Sequence, residues 1–252
     1  MTRRALFVLS LFGLWLAAGT ASSAQAAQHV AVKLVLAVDA SDSIEDWEWR
    51  LELNGIAAAL HSKDVQNAIS NLPTGSIAIA MLVWADAHQG RDTTGWRLID
   101  SAAAADLFAA EVALFPRRVS GGTAVGEGVA ASLHLLAAAP FEARRQVIDV
   151  SGDGMEPITF FTSQVLFMAD AKKLALAAGV TVNGLSIDKD WPQVFEWYKD
   201  NVQTGSGSFV MHVNKMPDFA AAFKVKLLRE LEQEVALGVG VGVGRQGIVA
   251  IR

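Results

Sequence analysis

The stretch from Lys33 to Ser43 reads KLVLAVDASDS, and its two halves call for different surroundings. Lys33 to Val38 is an almost unbroken apolar run, the pattern of a central strand buried on both faces of a parallel sheet. Asp39, Ser41, Asp42 and Ser43 then place four oxygen-bearing side chains where that strand ends. From about Glu45 the period changes. Trp49, Leu53, Ile56 and Leu60 fall at i, i+4, i+7 and i+11, the single apolar stripe of a helix. Ser43 followed by Asp46 predicts a capping box at the helix start. Leu72-Pro73-Thr74-Gly75 closes the helical region with turn residues.

The same alternation continues downstream. Ser76 to Trp84 (SIAIAMLVW) reads as a second strand, and Thr94 to Ile99 as a weaker antiparallel edge reached through a hairpin loop. Helices are predicted at Ser101 to Leu114 and Thr123 to Ala138, and Arg145 to Val150 (RQVIDV) is another central strand. Phe167, Ala171, Leu174 and Ala178 mark the next helix, followed by strands at Val180 to Ile187 and Ser208 to Val213 around a short helix near Pro192 to Val202. Phe219, Phe223, Leu227 and Leu231 give the last helix a strong apolar stripe. The expectation is an α/β fold of the Rossmann-like kind, a doubly wound, mostly parallel sheet of about six strands with helices on both faces. Beyond Leu237 glycine alternates with valine, and each glycine costs ~1 kcal/mol in a helix relative to alanine. The last helix is therefore expected to end at 237, leaving 238–252 as a disordered tail.

The chain has 252 residues, 52% of them hydrophobic, enough for one sizeable core. It contains no cysteine, which excludes disulfides, thiolate zinc sites and a thiol nucleophile. The five histidines, His29, His61, His88, His134 and His212, are never at metal-ligand spacing. Hard oxygen ligands are what remains for metal chemistry. Arg3 and Arg4, the apolar stretch Ala5 to Ala18 and the small-residue pattern Ala24-Gln25-Ala26 predict a signal peptide over 1–26, cleaved near Ala26, the alternative being an uncleaved anchor in the inner membrane. Its apolar run of 14 residues is shorter than the ~20 a membrane span needs. The expected location is periplasmic or secreted, with the domain over 27–237. Loss of 1–26 removes two of 21 basic and none of 26 acidic residues, for a net charge of −7. That argues against nucleic acid and anionic membranes as partners.

In open α/β sheets ligands bind at the carboxyl ends of the strands, near the point where strand order reverses. Three polar clusters fall there: Asp39-Ala40-Ser41-Asp42-Ser43, Gly121-Gly122-Thr123 before a helix, and Ser151-Gly152-Asp153-Gly154 after the strand Arg145 to Val150. This D-x-S-x-S loop with a distant Thr and a distant Asp resembles the metal-ion-dependent adhesion site of the von Willebrand factor type A domain. The segments VLAVDASDSI, VIDVSGDG and TVNGLSI resemble, more narrowly, an uncharacterised bacterial family of exported type A-like proteins. The resemblance implies that Asp39, Ser41, Ser43, Thr123 and Asp153 hold one Mg2+ or Mn2+, with Ca2+ as a further candidate. It also implies that an open coordination position takes a carboxylate from a protein partner. Mg2+ favours octahedral oxygen ligands at ~2.1 Å, and neutral hydroxyl ligands leave it strongly electrophilic.

Two features depart from the pattern. Gly152 stands where many relatives carry Thr or Ser, which predicts a looser site, and Asp42, Glu127 and Glu156 are expected to add negative charge near the ion. The competing function is a Mg2+-dependent phosphohydrolase with Asp39 as nucleophile. Such an enzyme needs a general acid two residues on, where Ser41 is too weak, and a lysine, for which only Lys172 and Lys173 within a helix are available. There is no G-x-S-x-G elbow and no phosphate-binding loop. The residues favour a non-enzymatic binding module.

Overall fold

The computed structural model describes residues 27–157, 165–188 and 192–242. The signal peptide expected over 1–26 and the tail from 243 onward lie outside these residues. The main sheet contains β2 (Val32–Asp39), β3 (Ile77–Trp84), β4 (Asp92–Thr93), β5 (Arg97–Ile99), β7 (Arg145–Gly152), β8 (Thr181–Ile187) and β9 (Val210–Val213). Its order is β4-β3-β2-β7-β8-β9, with β5 also on β3. β1 (Gln28–His29) and β6 (Phe141–Glu142) form a small parallel pair beside it. The four neighbouring pairs from β3 to β9 are parallel, while β4 and β5 run antiparallel on β3. The expected single edge strand at Thr94–Ile99 is thus two short ones. Gly95, at φ 69°, turns the backbone between them.

β2 is fully buried, as its apolar run predicts. Leu34, Leu36 and Val38 enter one core with α1 (Asp46–His61), α2 (Lys63–Ser70), α3 (Ala102–Ala113) and α7 (Phe219–Gly242). Val35 and Ala37 enter the other, with α4 (Val125–Ala137), α5 (Met168–Ala177) and the α6 (Gln193–Trp197) region, which continues as a π-helical turn over Tyr198–Val202. Helices therefore cover both faces of the sheet. On α1 the stripe Trp49, Leu53, Ile56 and Leu60 is buried, each side chain contributing roughly 1.5–3 kcal/mol of apolar burial. Among the described residues no helix is long and apolar enough to cross a membrane.

Three boundaries differ from expectation. The N-cap of α1 is Glu45, whose backbone N–H donates to the Glu48 carboxylate at 2.8 Å. Ser43 is not the cap, because its hydroxyl is turned into the loop to meet Asp153. The helical region after α1 divides at Ser62, which ends α1 and caps α2 by accepting the Val65 N–H. α7 continues to Gly242 and not to 237. A helix already nucleated extends at a small cost per residue, so interspersed glycines weaken it without forcing a stop.

Candidate metal centre

β2 has β3 on one side and β7 on the other, so the strand order reverses there and a crevice opens at the carboxyl ends of β2 and β7. Register pairs Val38 with Ser151, which brings Asp39 beside Gly152 and sends the two following loops out together. Asp39, the last residue of β2, is fully buried; its Oδ1 accepts the Ser41 N–H at 2.8 Å and folds the loop back over the strand end. The Ser41 and Ser43 hydroxyls lie 3.0 Å apart, and Ser43 Oγ donates to Asp153 Oδ1 at 2.6 Å. Ser41 is buried and Ser43 exposed, so the cluster leads from the core to the surface.

The second loop is fastened to the first. Asp42 N–H donates to the Gly121 carbonyl at 2.9 Å, and Gly121 N–H returns to Asp42 Oδ1 at 2.8 Å. Gly121 adopts φ 103°, and a Cβ there would meet Asp86 Cβ at 2.9 Å, so a side chain is excluded twice. Thr123 faces the third loop: its Oγ1 lies 3.1 Å from where a Gly154 Cβ would stand. Arg117 braces the first loop from below, its Nη2 donating to the Ala40 carbonyl at 3.1 Å and the Ser41 carbonyl at 2.8 Å. All five expected site residues therefore belong to three loops joined at one edge of the sheet. Asp39, Ser41, Ser43 and Asp153 are linked by hydrogen bonds or adjacency, and Thr123 borders them through Gly154.

The expected extra charges have other duties. Asp42 accepts from Gly121, Glu127 accepts the Leu166 N–H at 2.9 Å, and Glu156 accepts from Gly126 at 2.8 Å and Met168 at 2.7 Å. These carboxylates hold backbone in place, because amide donors at loop ends and helix starts need acceptors. Lys172 and Lys173 are engaged on α5, with the Asp200 carbonyl and the Asp170 carboxylate.

One buried acid escaped the sequence reading. Glu52, on α1, is fully buried, and its Oε1 accepts from Ser151 Oγ at 2.5 Å. Its position three residues after Trp49, within an apolar stripe, was the available signal. Burial pushes Glu52 up to about 8, with nearby Asp39 and Asp153 adding to the shift against the Ser151 hydrogen bond. Burial, reinforced by Asp153, likewise pushes Asp39 up to about 7.

The donor set suits a hard divalent cation. Asp39 Oδ2 is buried with no hydrogen-bond partner among the described residues, and the Asp153 carboxylate lies near enough to repel it. Among the described residues no cluster of three or more His, Cys, Asp or Glu is spaced to hold a metal. The oxygens gathered here are two carboxylates with serine and threonine hydroxyls, a set matched to Mg2+, Mn2+ or Ca2+ in kind.

No curated protein matches the sequence. Solved structures do. A pilus adhesin, SpaC, from Lactobacillus rhamnosus GG aligns at TM-score 0.57 and 16% identity, over 82% of this chain and 31% of that one. Proximal thread matrix protein 1 from the mussel byssus, with a zinc-occupied MIDAS motif, aligns at TM-score 0.55 and 17% identity, over 81% and 46%. The vWF domain of the type V pili tip protein Mfa5 from Porphyromonas gingivalis aligns at TM-score 0.51 and 12% identity, over 87% and 98%. The chain thus spans under half the length of the adhesin and the byssal protein, and at these identities the likeness is one of fold. That fold is the von Willebrand factor type A domain, and the family model that matches residues 29–235 is described as protein of unknown function (DUF1194), the family to which this chain belongs.

Proposed function

We propose that this chain is an exported, non-enzymatic binding module that engages a protein partner through a divalent cation, Mg2+ or Mn2+ with Ca2+ as a further candidate. Asp39, Ser41, Ser43, Thr123 and Asp153 hold the ion, and a carboxylate of the partner completes its coordination. The observation that carries this reading is the hydrogen-bonded chain Ser41–Ser43–Asp153 beside a buried Asp39 whose Oδ2 has no hydrogen-bond partner among the described residues. The zinc-occupied MIDAS motif of the byssal protein and the likeness to the pilus adhesin SpaC support it.

Bound there, the ion supplies an electrophilic position for a carboxylate oxygen. The chain's own residues set that position. Arg117 and the Asp42–Gly121 bonds fix the loops, Asp39 contributes charge from below, and exposed Ser43 marks the rim where a partner arrives. The net charge of −7 for 27–252 means that the ion attracts an acidic group against the field of its own protein. Partner binding is therefore expected to strengthen with ionic strength until the ion contact itself is screened.

Calorimetric titration of Mg2+ and Mn2+ into the mature protein, with Asp39→Ala as control, tests the metal. Binding by the parent and none by the variant is expected; equal behaviour of the two sinks it. Capture of partners from the exported fraction with and without chelator tests the rest, and a partner indifferent to chelator contradicts the metal-bridged mode.

A further inference from the structure

We infer that Tyr198 is a positioning residue of this centre, its hydroxyl standing across Gly152 from Asp39 and serving in place of the hydroxyl that the third loop lacks. The inference rests on the metal reading above. Tyr198 is the only tyrosine in the chain and is fully buried. It opens the π-helical turn Tyr198–Val202. Such turns recur at functional sites.

Two glycines clear its path along the sheet edge. A Cβ on Gly184 of β8 would meet Tyr198 Cδ1 at 2.8 Å, and a Cβ on Gly152 of β7 would meet the Tyr198 hydroxyl at 2.6 Å. The same Gly152 Cβ would stand 2.8 Å from Asp39 Oδ2. The phenol oxygen and the ligating carboxylate oxygen thus border one small volume, kept open by the absence of a side chain at Gly152.

Strand alternation explains why the third loop cannot do this itself. Ser151 and Gly152 face opposite sides of β7. Ser151 points to the α1 side, where it donates to Glu52; Gly152 points to the side from which Tyr198 enters. Both the Tyr198 hydroxyl and Asp39 Oδ2 are buried without a hydrogen-bond partner among the described residues. Buried polar atoms are nearly always paired, so two orphans facing one volume mark a linkage made when the site is loaded. The phenol is the donor and the Asp39 carboxylate the acceptor, directly or through one water, which fixes the orientation in which Asp39 meets the ion.

The test compares the mature protein with Tyr198→Phe, which keeps the ring and removes one oxygen. Mn2+ affinity is expected to fall on the order of 10- to 100-fold, as when an outer-sphere partner is lost. The metal-free variant is expected to melt no lower than the metal-free parent, since it loses an unpaired hydroxyl. Because the chain has one tyrosine, 13C labelling gives a single Tyr Cζ resonance, and Mg2+ is expected to shift it in the parent and not in Asp39→Ala. Equal Mn2+ affinities, or a Cζ resonance indifferent to Mg2+ in a parent that binds it, overturn the inference and leave the metal reading standing. A loss of affinity matched by a lower metal-free melting temperature assigns Tyr198 a structural role and also overturns it. A parent that binds no Mn2+ overturns the metal reading, and the inference with it.

Discussion

Ser43 Oγ donates to Asp153 Oδ1 at 2.6 Å, joining two loops that lie 110 residues apart in the chain. This contact ties together the two loops that follow β2 and β7. A hydrogen bond to a carboxylate is stronger than one to a neutral acceptor, but Ser43 is exposed and water competes for both partners. Ser43→Ala is therefore expected to cost about 0.5–1.5 kcal/mol in urea unfolding of the metal-free protein. Its effect on Mn2+ binding is expected to be at least on the order of 10-fold, because the hydroxyl is also a proposed ligand. A calorimetric titration showing unchanged Mn2+ affinity removes Ser43 from the ligand set.

Acidic pH is expected to stabilise the metal-free domain. Asp39 and Asp149 are pushed up to about 7 from an ordinary 3.8, and Glu52 up to about 8 from 4.5, each chiefly by burial. A carboxyl with a raised folded pKa keeps its proton in the native state after the unfolded chain has released it. Below the unfolded values both states are protonated and the groups contribute their full stability. As pH climbs through the interval up to about 8, the unfolded state binds fewer protons and stability is lost. Metal binding runs the other way, since a ligating Asp39 must be ionised. Melting in chelator from about pH 5 to about pH 8 is expected to show a falling midpoint, with Mn2+ raising it more at the higher pH. Glu52→Gln should flatten part of the slope. A midpoint in chelator that rises with pH contradicts the burial of these acids.

The fold was legible because periodicity carries it: the apolar runs of β2, β3, β7 and β8 and the stripes of α1 and α7 are properties of consecutive residues. The D-x-S-x-S loop was legible for the same reason, as it follows a recognisable strand. What stayed hidden depends on which face of a strand a side chain takes and what crosses from another element. Tyr198 reaches the third loop from a π-helical turn beyond β8, and no spacing in the sequence announces that path. Glu52 could be seen to interrupt an apolar stripe, yet only the structure pairs it with Ser151. The Ser43–Asp46 pair has capping-box spacing, but the long-range bond to Asp153 prevails over the local one.

A second buried ionic group secures α7 to the sheet. Lys226 is fully buried between Asp149 of β7 and Glu230 one turn later, and Asn183 Nδ2 donates to Glu230 Oε1 at 2.9 Å. Burial alone lowers the Lys226 ammonium, but the two carboxylates outweigh it and its pKa is raised. Removing the cation leaves two acids facing each other in the core, so Lys226→Met is expected to destabilise by about 3–5 kcal/mol near neutral pH. The loss should shrink on acidification, as Asp149 takes up its proton. Urea midpoints at about pH 5 and pH 7.5 check this, and a loss that is equal or larger at the lower pH counts against a charged triad.

Gly152 leaves no room for a side chain, although its absence of a hydroxyl suggested a loosened site. An alanine Cβ there would stand 2.6 Å from the Tyr198 hydroxyl, 2.8 Å from Asp39 Oδ2 and 3.0 Å from Asp39 Cβ. Asp39 is held at a strand end by the Ser41 N–H, so it has little room to retreat. The ring of Tyr198 is fixed in the core as well. Gly152→Ala is therefore expected to cost about 1–3 kcal/mol by overpacking and to weaken Mn2+ binding. Removing the phenol oxygen takes away the nearest of the three clashes. In the Tyr198→Phe background the same alanine should cost less, with a coupling of at least about 0.5 kcal/mol in a double-mutant cycle. Unfolding free energies of the four proteins supply the cycle. Strict additivity would mean that the hydroxyl and the glycine do not share the space that the structure assigns to both.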